Sequence, residues 1–546
     1  MTDPPPVPTP RQEYLANLGL QDILVLAPAG CGKTEALAMR ARTVCERGDV
    51  RSPRKVLALT FSNKARSNLA ARMRAMVGPG WRERVAVSNF HGLAARVLMA
   101  HGEQIGVNEV PFPEKAWLNR TKKELGITWR NSDDFEAALW QAKRDPVGDD
   151  EVMERLSAYG NAAAVAYEER LREEARLDYD DLIRHAARLL AIPEVRGLYQ
   201  THFGLVIVDE VQDLTLIQLG IVQAVGVDRV TYAGDPAQGI YSFAGAEPDV
   251  VFAAIRARAT EIVEFDESYR SSRAVLVAVN VLARELGTTQ LSRAEPYPWA
   301  DDGHVILLKR DTNEEEAAAL MPMLQSILDE DGEASIGIVV RRQARLQTLK
   351  DAFDAAGLSY ENWSAPTHVP RVAALLKQFA REAENTPGDA NEQLAALEAA
   401  CLAQLDPSDV LGLDEVSAAC EDLRVLTEGG LSVEEAVATC RQTPSPDDPV
   451  SPGVHVLTGH VGKGQQFDWV VVLGLEDGHV PDFHAVNSGV PAEMEEELRV
   501  LHVMVARARY GLVLTRSATS KTQYGPRRAD DSRWLEMLEA VVTRSV

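Results

Sequence analysis

The sequence predicts an α/β protein built on parallel, helix-covered sheets, and three observations support that fold class. Short apolar runs that fit buried strands alternate with stretches of helical spacing, which is typical of parallel sheets. The runs form two separate series, so two α/β domains are expected. Each series is interrupted by a helical segment that is poor in strand signals. The runs lie at 23–30, 55–62, 84–91, 205–210 and 229–235 in the first series, and near 303, then at 335–342, 454–460, 469–475 and 510–517 in the second.

The interruptions set the predicted domain boundaries. The segment 93–203 is helical and charged, whereas 371–449 is rich in Ala, Leu and Glu and ends in a proline-rich stretch. A chain of 546 residues is too long for one core, and its length suggests roughly three or four domains. The predicted parts are 1–92 and 204–268 for the first α/β domain, 93–203 for its helical insertion, 269–370 and 450–546 for the second α/β domain, and 371–449 for a reduced second insertion.

Composition argues against several classes of protein. The chain is 45% hydrophobic and 25% charged, and no apolar run approaches the roughly 18 residues that a membrane span needs. The start, MTDPPPVPTPRQ, lacks the basic and apolar regions of a signal peptide, so we expect a cytoplasmic protein with no membrane partner. The 5 cysteines form no CxxC or Cys/His cluster, which argues against a structural zinc or an iron–sulfur cluster.

The net charge of −24 argues at first against a nucleic-acid partner, because phosphate contacts need Lys and Arg. Net charge, however, governs solubility and long-range steering, whereas a binding groove is local. The acidic excess gathers partly in 131–182 and 381–450, and basic stretches remain at Arg51–Lys55 and Lys64–Arg74. The charge balance therefore leaves a nucleic-acid partner open.

A candidate phosphate loop follows the first predicted strand and opens a predicted helix, which is the context that this motif requires. Gly30 and Gly32 would let backbone N–H groups wrap the phosphates of ATP at the positive end of the helix. Lys33 would reach the β- and γ-phosphates, and the Thr34 hydroxyl would bind Mg²⁺. Ala27 stands where the generic pattern has Gly. The loop consists of Ala27, Pro28, Ala29, Gly30, Cys31, Gly32, Lys33 and Thr34.

In addition to the phosphate loop, ATP hydrolysis needs a carboxylate site for the metal and the attacking water. The apolar run 205–210 would deliver Asp209 to the carboxyl edge of the sheet as a Mg²⁺ ligand, with Glu210 beside it as a candidate base. The alternative is an ordinary strand that ends in acidic loop residues. The pairing with a phosphate loop favours the catalytic interpretation.

Eight further segments resemble, in the family's order, the motifs of superfamily 1A helicases of the UvrD/PcrA/Rep type. The resemblance extends over most of the chain and implies two RecA-like parallel-sheet motor domains, each interrupted by a mainly helical insertion. The segments are Thr60–Ala65 (TFSNKA, family TFTNKA), Asn89–Gly92 (family TFHS), Leu177–Leu182 (LDYDDL, family LDFDDL), Asp209–Asp213 (DEVQD, family DExQD), Gly234–Ala246 (family GDxxQSIYxFRGA), Ser268–Ser271 (family NYRS), Thr458–Asp468 (family THxxKGLEFD) and Glu496–Ala508 (family EExRLxYVAxTRA).

The resemblance implies roles around ATP for residues outside the phosphate loop. Gln12 would read the adenine edge, although it could instead be a solvated tail residue. Gln238 would sense the γ-phosphate, and Tyr269 would stack on adenine. Arg270 and Arg507, which come from the second domain, would clamp the charge of the transition state as arginine fingers. Gln466, where the family has Glu, would still hydrogen-bond the ribose.

The resemblance also implies a track for a DNA strand across both α/β domains. Aromatic rings there would stack on bases without regard to sequence. Phe243 and His91 are the stronger candidates, whereas Phe61 and Tyr241 could instead be packing residues. The full candidate set is Thr60, Phe61, Asn63, Phe90, His91, Tyr241, Phe243, Thr458 and His460.

The sequence departs from the family pattern at several positions. Glu35 replaces the Arg that usually covers the adenine, and a carboxylate cannot stack as a cation, so nucleotide selectivity could be looser. Ala244 replaces the Arg of FRGA, and Ala506 replaces the Thr before the second arginine finger. The second insertion is well short of the usual module, so translocation is a firmer expectation than strand separation.

The leading interpretation is a 3′-to-5′ DNA translocase and helicase that uses ATP and Mg²⁺ on single-stranded or tailed duplex DNA. An alternative is a regulatory subunit that binds nucleotide and DNA and recruits a nuclease or another repair or phage-defence partner. A third interpretation, a non-motor P-loop kinase or GTPase, needs only one α/β domain and leaves the second motif-bearing half unexplained.

Overall fold

In this computed structural model, the strands and helices form two parallel sheets and several helical layers. The residues that the structure describes are 8–107, 115–128, 131–295, 299–363, 367–368, 370–405, 416–417, 419–420, 422–424, 426–427, 430–442, 450–461, 463–522 and 525–545. The strands in this part of the chain are β1 Ile23–Leu26, β2 Lys55–Thr60, β3 Val85–Asn89, β4 Phe203–Asp209, β5 Val230–Gly234, β6 Glu261–Glu264, β7 Glu267–Ser268, β8 Ser292–Arg293, β9 His304–Thr312, β10 Ser335–Val340, β11 Tyr360–Asn362, β12 Thr367–His368, β13 Arg441–Gln442, β14 Gly453–Thr458, β15 Phe467–Val472, β16 Ala508–Thr522, β17 Gly525–Arg528 and β18 Arg544–Ser545.

Helices connect these strands. The α-helices are Pro10–Asn17, Lys33–Glu46, Asn63–Val77, Trp81–Arg84, Phe90–His101, Lys115–Glu124, Ser132–Lys143, Asp149–Tyr159, Ala162–Glu173, Tyr179–Ala191, Pro193–His202, Leu216–Gly226, Pro248–Arg258, Arg273–Glu285, Asn313–Glu330, Gln347–Ala356, Pro370–Glu384, Ala390–Leu402, Val433–Thr439, Phe483–Ser488, Pro491–Val505 and Leu535–Glu539. Single turns of 3₁₀-helix lie at Gly102–Ile105, Val211–Asp213, Pro236–Gln238, Ser242–Ala244 and Gln343–Leu346. Within the described residues, no helix is both long and apolar enough to span a membrane.

The first sheet is parallel throughout and has the order β3-β2-β4-β5-β1-β6. Strand β1 lies between β5 and the edge strand β6, with Leu26 opposite Gly234 and Glu264. Parallel neighbours that are distant in sequence require crossover connections, and helices supply them. The carboxyl ends of β1, β2, β4 and β5 consequently meet at one edge, where the phosphate loop and the acidic motif begin.

The second sheet has the order β11-β14-β10-β15-β16-β9-β18, with β17 antiparallel to the long strand β16. Its other pairings are parallel. Buried aliphatic side chains fill both faces, as expected where helices cover a sheet on two sides. The predicted α/β class with two parallel-sheet domains is confirmed.

The chain divides into two compact units. The first comprises Met1–Asn89, Gly197–Ser364 and Pro449–Val546, and the second comprises Phe90–Arg196 and Ala365–Asp448. The first unit therefore contains both sheets, and the second contains most of the two segments predicted as insertions, 93–203 and 371–449. Individual limits differ from the prediction: the strand expected over 84–91 ends at Asn89, and Phe90 begins a helix of the second unit.

The LDYDDL motif has a structural role within the second unit. Asp178 and Asp181 form a capping box at the start of the helix Tyr179–Ala191. The buried Nζ of Lys143 lies 2.8 Å from Asp178, 3.0 Å from Asp181 and 2.7 Å from Glu168. Buried charges are tolerated only when they are paired, and this cluster pairs its carboxylates with an ammonium group. The network ties three helices of the first insertion together.

Candidate nucleotide and nucleic-acid site

The phosphate loop connects β1 to the helix that begins at Lys33. Gly30 (φ +90°) and Gly32 (φ +73°) have left-handed backbone conformations. A Cβ on Gly30 would lie 3.0 Å from the Cβ of Arg270, and a Cβ on Gly32 would lie 2.5 Å from Nε2 of Gln12. Both positions therefore favour glycine for their backbone conformation, and Gly30 does so also because Arg270 approaches it closely. The backbone can approach phosphate oxygens at the positive end of the helix.

Lys33 is bound by the two carboxylates of the acidic motif. Its Nζ lies 2.9 Å from Asp209 Oδ1 and 2.7 Å from Glu210 Oε1. Burial alone would lower the pKa of Lys33, but these two carboxylates raise it above its ordinary value. Burial likewise opposes ionisation of Glu210, but Lys33 and Lys463 lower the pKa of that carboxyl to about 2. Lys33 and Glu210 are therefore both charged at neutral pH.

Thr34 and Asp209 fit a magnesium site. Mg²⁺ prefers hard oxygen ligands, and these residues present a hydroxyl and a carboxylate beside the phosphate loop. Asp209 is buried at the carboxyl end of β4, and burial raises the pKa of Asp209 even though Lys33 opposes the shift. A buried carboxylate of this kind gains from a nearby cation. The residues present therefore suit the metal that the sequence implies.

Gln212, which the sequence analysis did not single out, links the candidate base to the neighbouring loop. Its Nε2 donates to Glu210 Oε2, and its Oε1 accepts from the backbone N–H of Asp235 at 3.1 Å. Glu210 itself has a left-handed backbone conformation (φ +59°), which is uncommon for a residue other than glycine. A Cβ on Gly234 would lie 2.6 Å from Gln212 Oε1. The candidate base therefore has an uncommon backbone conformation, and its carboxylate accepts a hydrogen bond from a buried amide.

Lys463, which follows strand β14 of the second sheet, contacts the loop that carries Gln238. Nε2 of Gln238 donates to Asp235 Oδ2 at 2.7 Å, while the backbone carbonyl of Gln238 accepts from Lys463 Nζ at 2.6 Å. The same Nζ donates to both carboxylate oxygens of Asp213, at 2.7 and 2.9 Å. Lys463 and Asp213 were missed as site residues, although they lie inside the KGLEFD-like and DExQD-like motifs.

The two candidate arginine fingers differ in their surroundings. Arg270 lies against Gly30, and burial lowers the pKa of its guanidinium to about 10. Arg507 is 2% exposed, and its guanidinium donates to the backbone carbonyls of Val461, at 2.9 Å, and Gly459. Its Nε is buried and has no hydrogen-bond partner within the described part of the chain. Arg270 is therefore the better placed of the two to meet a phosphate.

Gln12 contacts the phosphate loop and is not a solvated tail residue. It is 7% exposed and forms a capping box with Thr9, whose N–H donates to Gln12 Oε1 at 2.9 Å. Its Nε2 donates to the carbonyl of Gly32 at 3.3 Å. The side chain therefore touches the phosphate loop directly, which makes the tail alternative wrong.

The remaining nucleotide residues lie around the mouth of the loop. Tyr269 is 38% exposed, and its backbone N–H donates to the carbonyl of Gly30 at 3.2 Å. Glu35, the departure from the family pattern, pairs with Arg72 of the helix Asn63–Val77 at 3.7 Å. Gln466 lines the same cavity as Tyr269 and Glu35.

A cavity of about 690 Å³ joins these groups. Most of the predicted nucleotide residues line it, namely Ala27, Pro28, Ala29, Gly30, Gly32, Lys33, Thr34, Glu210, Gln238, Tyr269, Arg270, Gln466 and Arg507. Cys31 is 3% exposed, and burial raises the pKa of its thiol. Cys31 is thus packed into the core, and its contribution to the loop is its backbone.

Four of the candidate strand-contacting side chains form a continuous aromatic row. Ring centroids are 6.0 Å apart between Phe61 and Tyr241, 5.8 Å between Tyr241 and Phe243, and 5.5 Å between Phe243 and His460. Phe243 is 73% exposed, the most open ring of the row. Burial lowers the pKa of His460 to about 4, with Arg341, Arg507 and Lys463 adding to the shift, so the ring is neutral.

Two other candidates are corrected by the structure. Phe90 is 1% exposed and packs in the core of the second unit, and Thr60 is 0% exposed at the end of β2. Neither side chain is open to a base or phosphate. Both lie at the strand-to-helix transitions of the motifs, where apolar burial fixes the loops.

The other three candidates have different outcomes. His91 packs edge-on against Tyr179 in the second unit, with ring centroids 5.4 Å apart. Thr458 accepts from the N–H of Val461 at 3.4 Å. The side chain of Asn63 lies outside the described part of the chain, so its contact with a strand stays a prediction.

Comparison with known proteins agrees with this arrangement. The chain matches the family models described as the UvrD/REP helicase N-terminal domain, over residues 9–257, and the UvrD-like helicase C-terminal domain, over residues 437–519. It is 28% identical over 572 residues to the ATP-dependent DNA helicase UvrD2 of Mycobacterium tuberculosis, covering 96% of this chain and 80% of that protein. It is 24% identical over 612 residues to DNA helicase II of Escherichia coli, covering 92% of this chain and 83% of that protein.

The N-terminal match includes the phosphate loop, its two carboxylates and Gln238, and the C-terminal match includes Lys463, Gln466 and Arg507, whereas Arg270 lies between the two matched ranges. A phosphate loop, its carboxylates and two arginines from the other sheet's side are held in one place by the family's motifs. The chain belongs to the UvrD-type superfamily 1 helicases.

Proposed function

We propose that this chain hydrolyses ATP to move 3′-to-5′ along single-stranded DNA and that it separates tailed duplexes. The observation that carries the proposal is the composition of the cavity. Lys33, Glu210 and Gln238 come from the first sheet, whereas Arg270 and Arg507 come from segments beside the second sheet. A nucleotide bound there would contact residues from both sheets, so its hydrolysis can change the contacts between the two sheets. The relatives' names, ATP-dependent DNA helicase and DNA helicase II, support this activity.

The chemistry follows from the residues that line the cavity. Loop amides and Lys33 would bind the phosphates, which requires Lys33 to exchange carboxylate contacts for phosphate oxygens. Glu210, freed from that ion pair, would accept a proton from the attacking water. Arg270 would stabilise charge that develops on the γ-phosphate. Mg²⁺, held by Thr34 and Asp209, supplies further charge neutralisation when bound.

Coupling to a DNA strand would run through Lys463. Its Nζ contacts the carbonyl of Gln238 and lies 4.8 Å from the ring centroid of Tyr241. Gln238 lines the nucleotide cavity, and Tyr241 belongs to the aromatic row. One cation therefore touches both the γ-phosphate sensor and the candidate strand platform.

The test is the rate of ATP hydrolysis with and without single-stranded DNA, followed by unwinding of 3′-tailed and 5′-tailed duplexes. We expect hydrolysis to rise at least about tenfold with DNA and to be abolished by Lys33→Ala and Glu210→Gln. Unwinding of 3′-tailed duplexes alone would support the polarity. Hydrolysis indifferent to DNA would overturn the motor proposal, and stimulation without unwinding would favour the alternative of a subunit that recruits a nuclease.

A further inference from the structure

Arg40 is an unusual residue of the helix that follows the phosphate loop, because its side chain is fully buried. It is 0% exposed and is one of the largest fully buried side chains of the described residues. Charged groups are buried at a cost of several kcal/mol unless hydrogen bonds compensate them. Burial lowers the pKa of Arg40 to about 10, so the group stays charged at neutral pH. Such a residue needs a structural or functional reason.

The guanidinium of Arg40 holds the end of the first helix. Its Nη1 donates to the carbonyls of Leu15 and Leu18, both at 2.9 Å, and its Nη2 donates to the carbonyl of Gly19 at 2.7 Å. Leu15 belongs to the last turn of the helix Pro10–Asn17, and its carbonyl also accepts from the N–H of Leu18 at 3.3 Å, whereas Leu18 and Gly19 follow the helix. A cation is favoured at this end of a helix by the helix dipole. The rigid guanidinium fork can serve three such acceptors together, whereas an ammonium group cannot match that planar geometry.

The fourth bond of Arg40 reaches the sheet. Its Nε donates to Thr231 Oγ1 at 2.8 Å, and Thr231 is a buried residue of β5. Arg40 therefore joins three elements: the first helix Pro10–Asn17, the phosphate-loop helix Lys33–Glu46 and a central strand of the first sheet.

The first helix carries Gln12, one turn before the carbonyl that Arg40 binds. A helix of 8 residues is marginal on its own, so its position depends on tertiary contacts. The contact of Gln12 Nε2 with the Gly32 carbonyl at 3.3 Å requires that helix to keep its position relative to the loop. A small rotation or slide of the helix would move Gln12 away from the phosphate loop.

We propose that Arg40 is a positioning residue for nucleotide recognition, which sets the place of Gln12 at the phosphate loop and thereby the preference for the base of ATP. The inference rests on the proposed function of the cavity. It assigns to Arg40 no contact with ATP; the residue acts through the helix that it holds.

The test is a double-mutant cycle between Arg40→Lys and Gln12→Ala, with steady-state hydrolysis of ATP and GTP in the presence of single-stranded DNA. We expect Arg40→Lys to raise KM for ATP about tenfold while kcat changes less than about twofold. The preference for ATP over GTP should fall to the level of Gln12→Ala, and the double variant should be no worse than Gln12→Ala. Additive losses, or a fall in kcat with KM unchanged, would overturn the inference.

Arg47 provides a matched control. It also donates to the same segment, to the carbonyls of Asn17 at 2.6 Å and Leu18 at 3.1 Å, but at the surface and without a bond to β5. Arg47→Lys should leave KM and the ATP preference within about twofold of the parent protein. An equal effect of Arg47→Lys would show that any loosening of the first helix suffices and would also overturn the special role of Arg40.

Two further measurements keep the outcome decisive. If Arg40→Lys does not fold, Thr231→Val removes only the bond to β5 and should shift KM in the same direction by about threefold; an unchanged KM would contradict the proposal. Equilibrium binding of a fluorescent ATP analogue, in competition with ATP and GTP, reports base preference without hydrolysis. A parent protein that binds ATP but does not hydrolyse it would refute the proposed function while leaving the Arg40 inference testable by that binding.

Discussion

The Nζ of Lys463 lies 2.7 Å from Oδ1 of Asp213, and this ion pair connects the two motif-bearing halves of the protein. Lys463 follows β14 of the second sheet, and Asp213 follows β4 of the first. Both side chains are nearly buried, so the pair is far less screened than a surface salt bridge. Because Lys463 also donates to the backbone carbonyl of Gln238, the residue proposed to sense the γ-phosphate and the junction of the sheets share one cation.

Replacement of Lys463 by Met should separate hydrolysis from strand binding. Met keeps the aliphatic stem but removes the charge that reaches Asp213, Gln238 and the Tyr241 ring. We expect basal hydrolysis without DNA to stay within about threefold of the parent protein, while stimulation by single-stranded DNA falls about tenfold or more. The measurement is kcat as a function of DNA concentration. A variant that retains full stimulation would show that Lys463 only stabilises the fold.

The pH dependence of that stimulation should follow Asp213. Burial raises the pKa of Asp213 from 3.8 to about 6, although Lys463 opposes the shift. Protonation below about pH 6 would neutralise the partner of Lys463, so stimulation by DNA should fall as the pH drops from 7 to 5.5. Asp213→Asn, which removes the titration, should give a reduced stimulation that is flat over this range. An unchanged pH profile in that variant would assign the titration to another group.

The same shift has a defined consequence for stability. Because the folded pKa of Asp213 exceeds the unfolded value, the folded state binds more protons between those two values. The contribution of this group to stability is therefore fully present below about pH 4 and is lost as the pH rises through about 6. The free energy of unfolding in urea should be measured for the parent protein and for Asp213→Asn at pH 4 and pH 7.5. Relative to the parent protein, the variant should be more stable at pH 7.5 than it is at pH 4. A constant difference would contradict the assignment.

Gly30→Ala should disable the site while the protein stays folded. The new Cβ would meet the Cβ of Arg270 at 3.0 Å, and Gly30 has a φ of +90° that an alanine adopts only with strain. We expect kcat to fall about 100-fold, because displacement of Arg270 would remove the charge stabilisation that we propose for it at the γ-phosphate. Gly220→Ala is the matched control, since a Cβ there meets no atom within 4 Å and the position is helical. Its kcat should be unchanged, and both melting temperatures should be recorded.

Sequence patterns were sufficient for the elements whose residues are close in sequence or belong to a contiguous motif. The phosphate loop, Asp209 and Glu210 follow directly from apolar runs that end in Gly or in acidic residues. Gln212 and Lys463 were not singled out, because their roles depend on partners more than 20 residues away, such as Asp235 and Asp213.

Burial was the other property that the sequence left undecided. Phe90 and Thr60 lie in the right motifs, yet both side chains face cores. Aromatic residues at strand ends serve equally well as packing or as stacking groups, and only the fold separates Phe90 from Phe243. Gln12 shows the reverse case, since a residue near the start of the chain is held against the phosphate loop by a capping box and by the helix that Arg40 binds.

Phe243→Ala should weaken DNA binding more than ATP binding. Phe243 is 73% exposed at the centre of contacts with Tyr241 and His460, and base stacking on such a ring contributes about 1–3 kcal/mol per base. The dissociation constant for a short single strand of DNA should therefore rise about 5- to 150-fold. The DNA concentration that gives half-maximal hydrolysis should rise in parallel. The KM for ATP at saturating DNA should change less than about twofold. Fluorescence anisotropy of a labelled oligonucleotide measures the dissociation constant.

Val277→Ala is the control for the loss of exposed apolar surface, because Val277 is an apolar residue that is 42% exposed on the helix Arg273–Glu285. This variant should leave the dissociation constant, the half-maximal DNA concentration and the KM for ATP unchanged. If both variants bind DNA as the parent protein does, the aromatic row is not the strand platform.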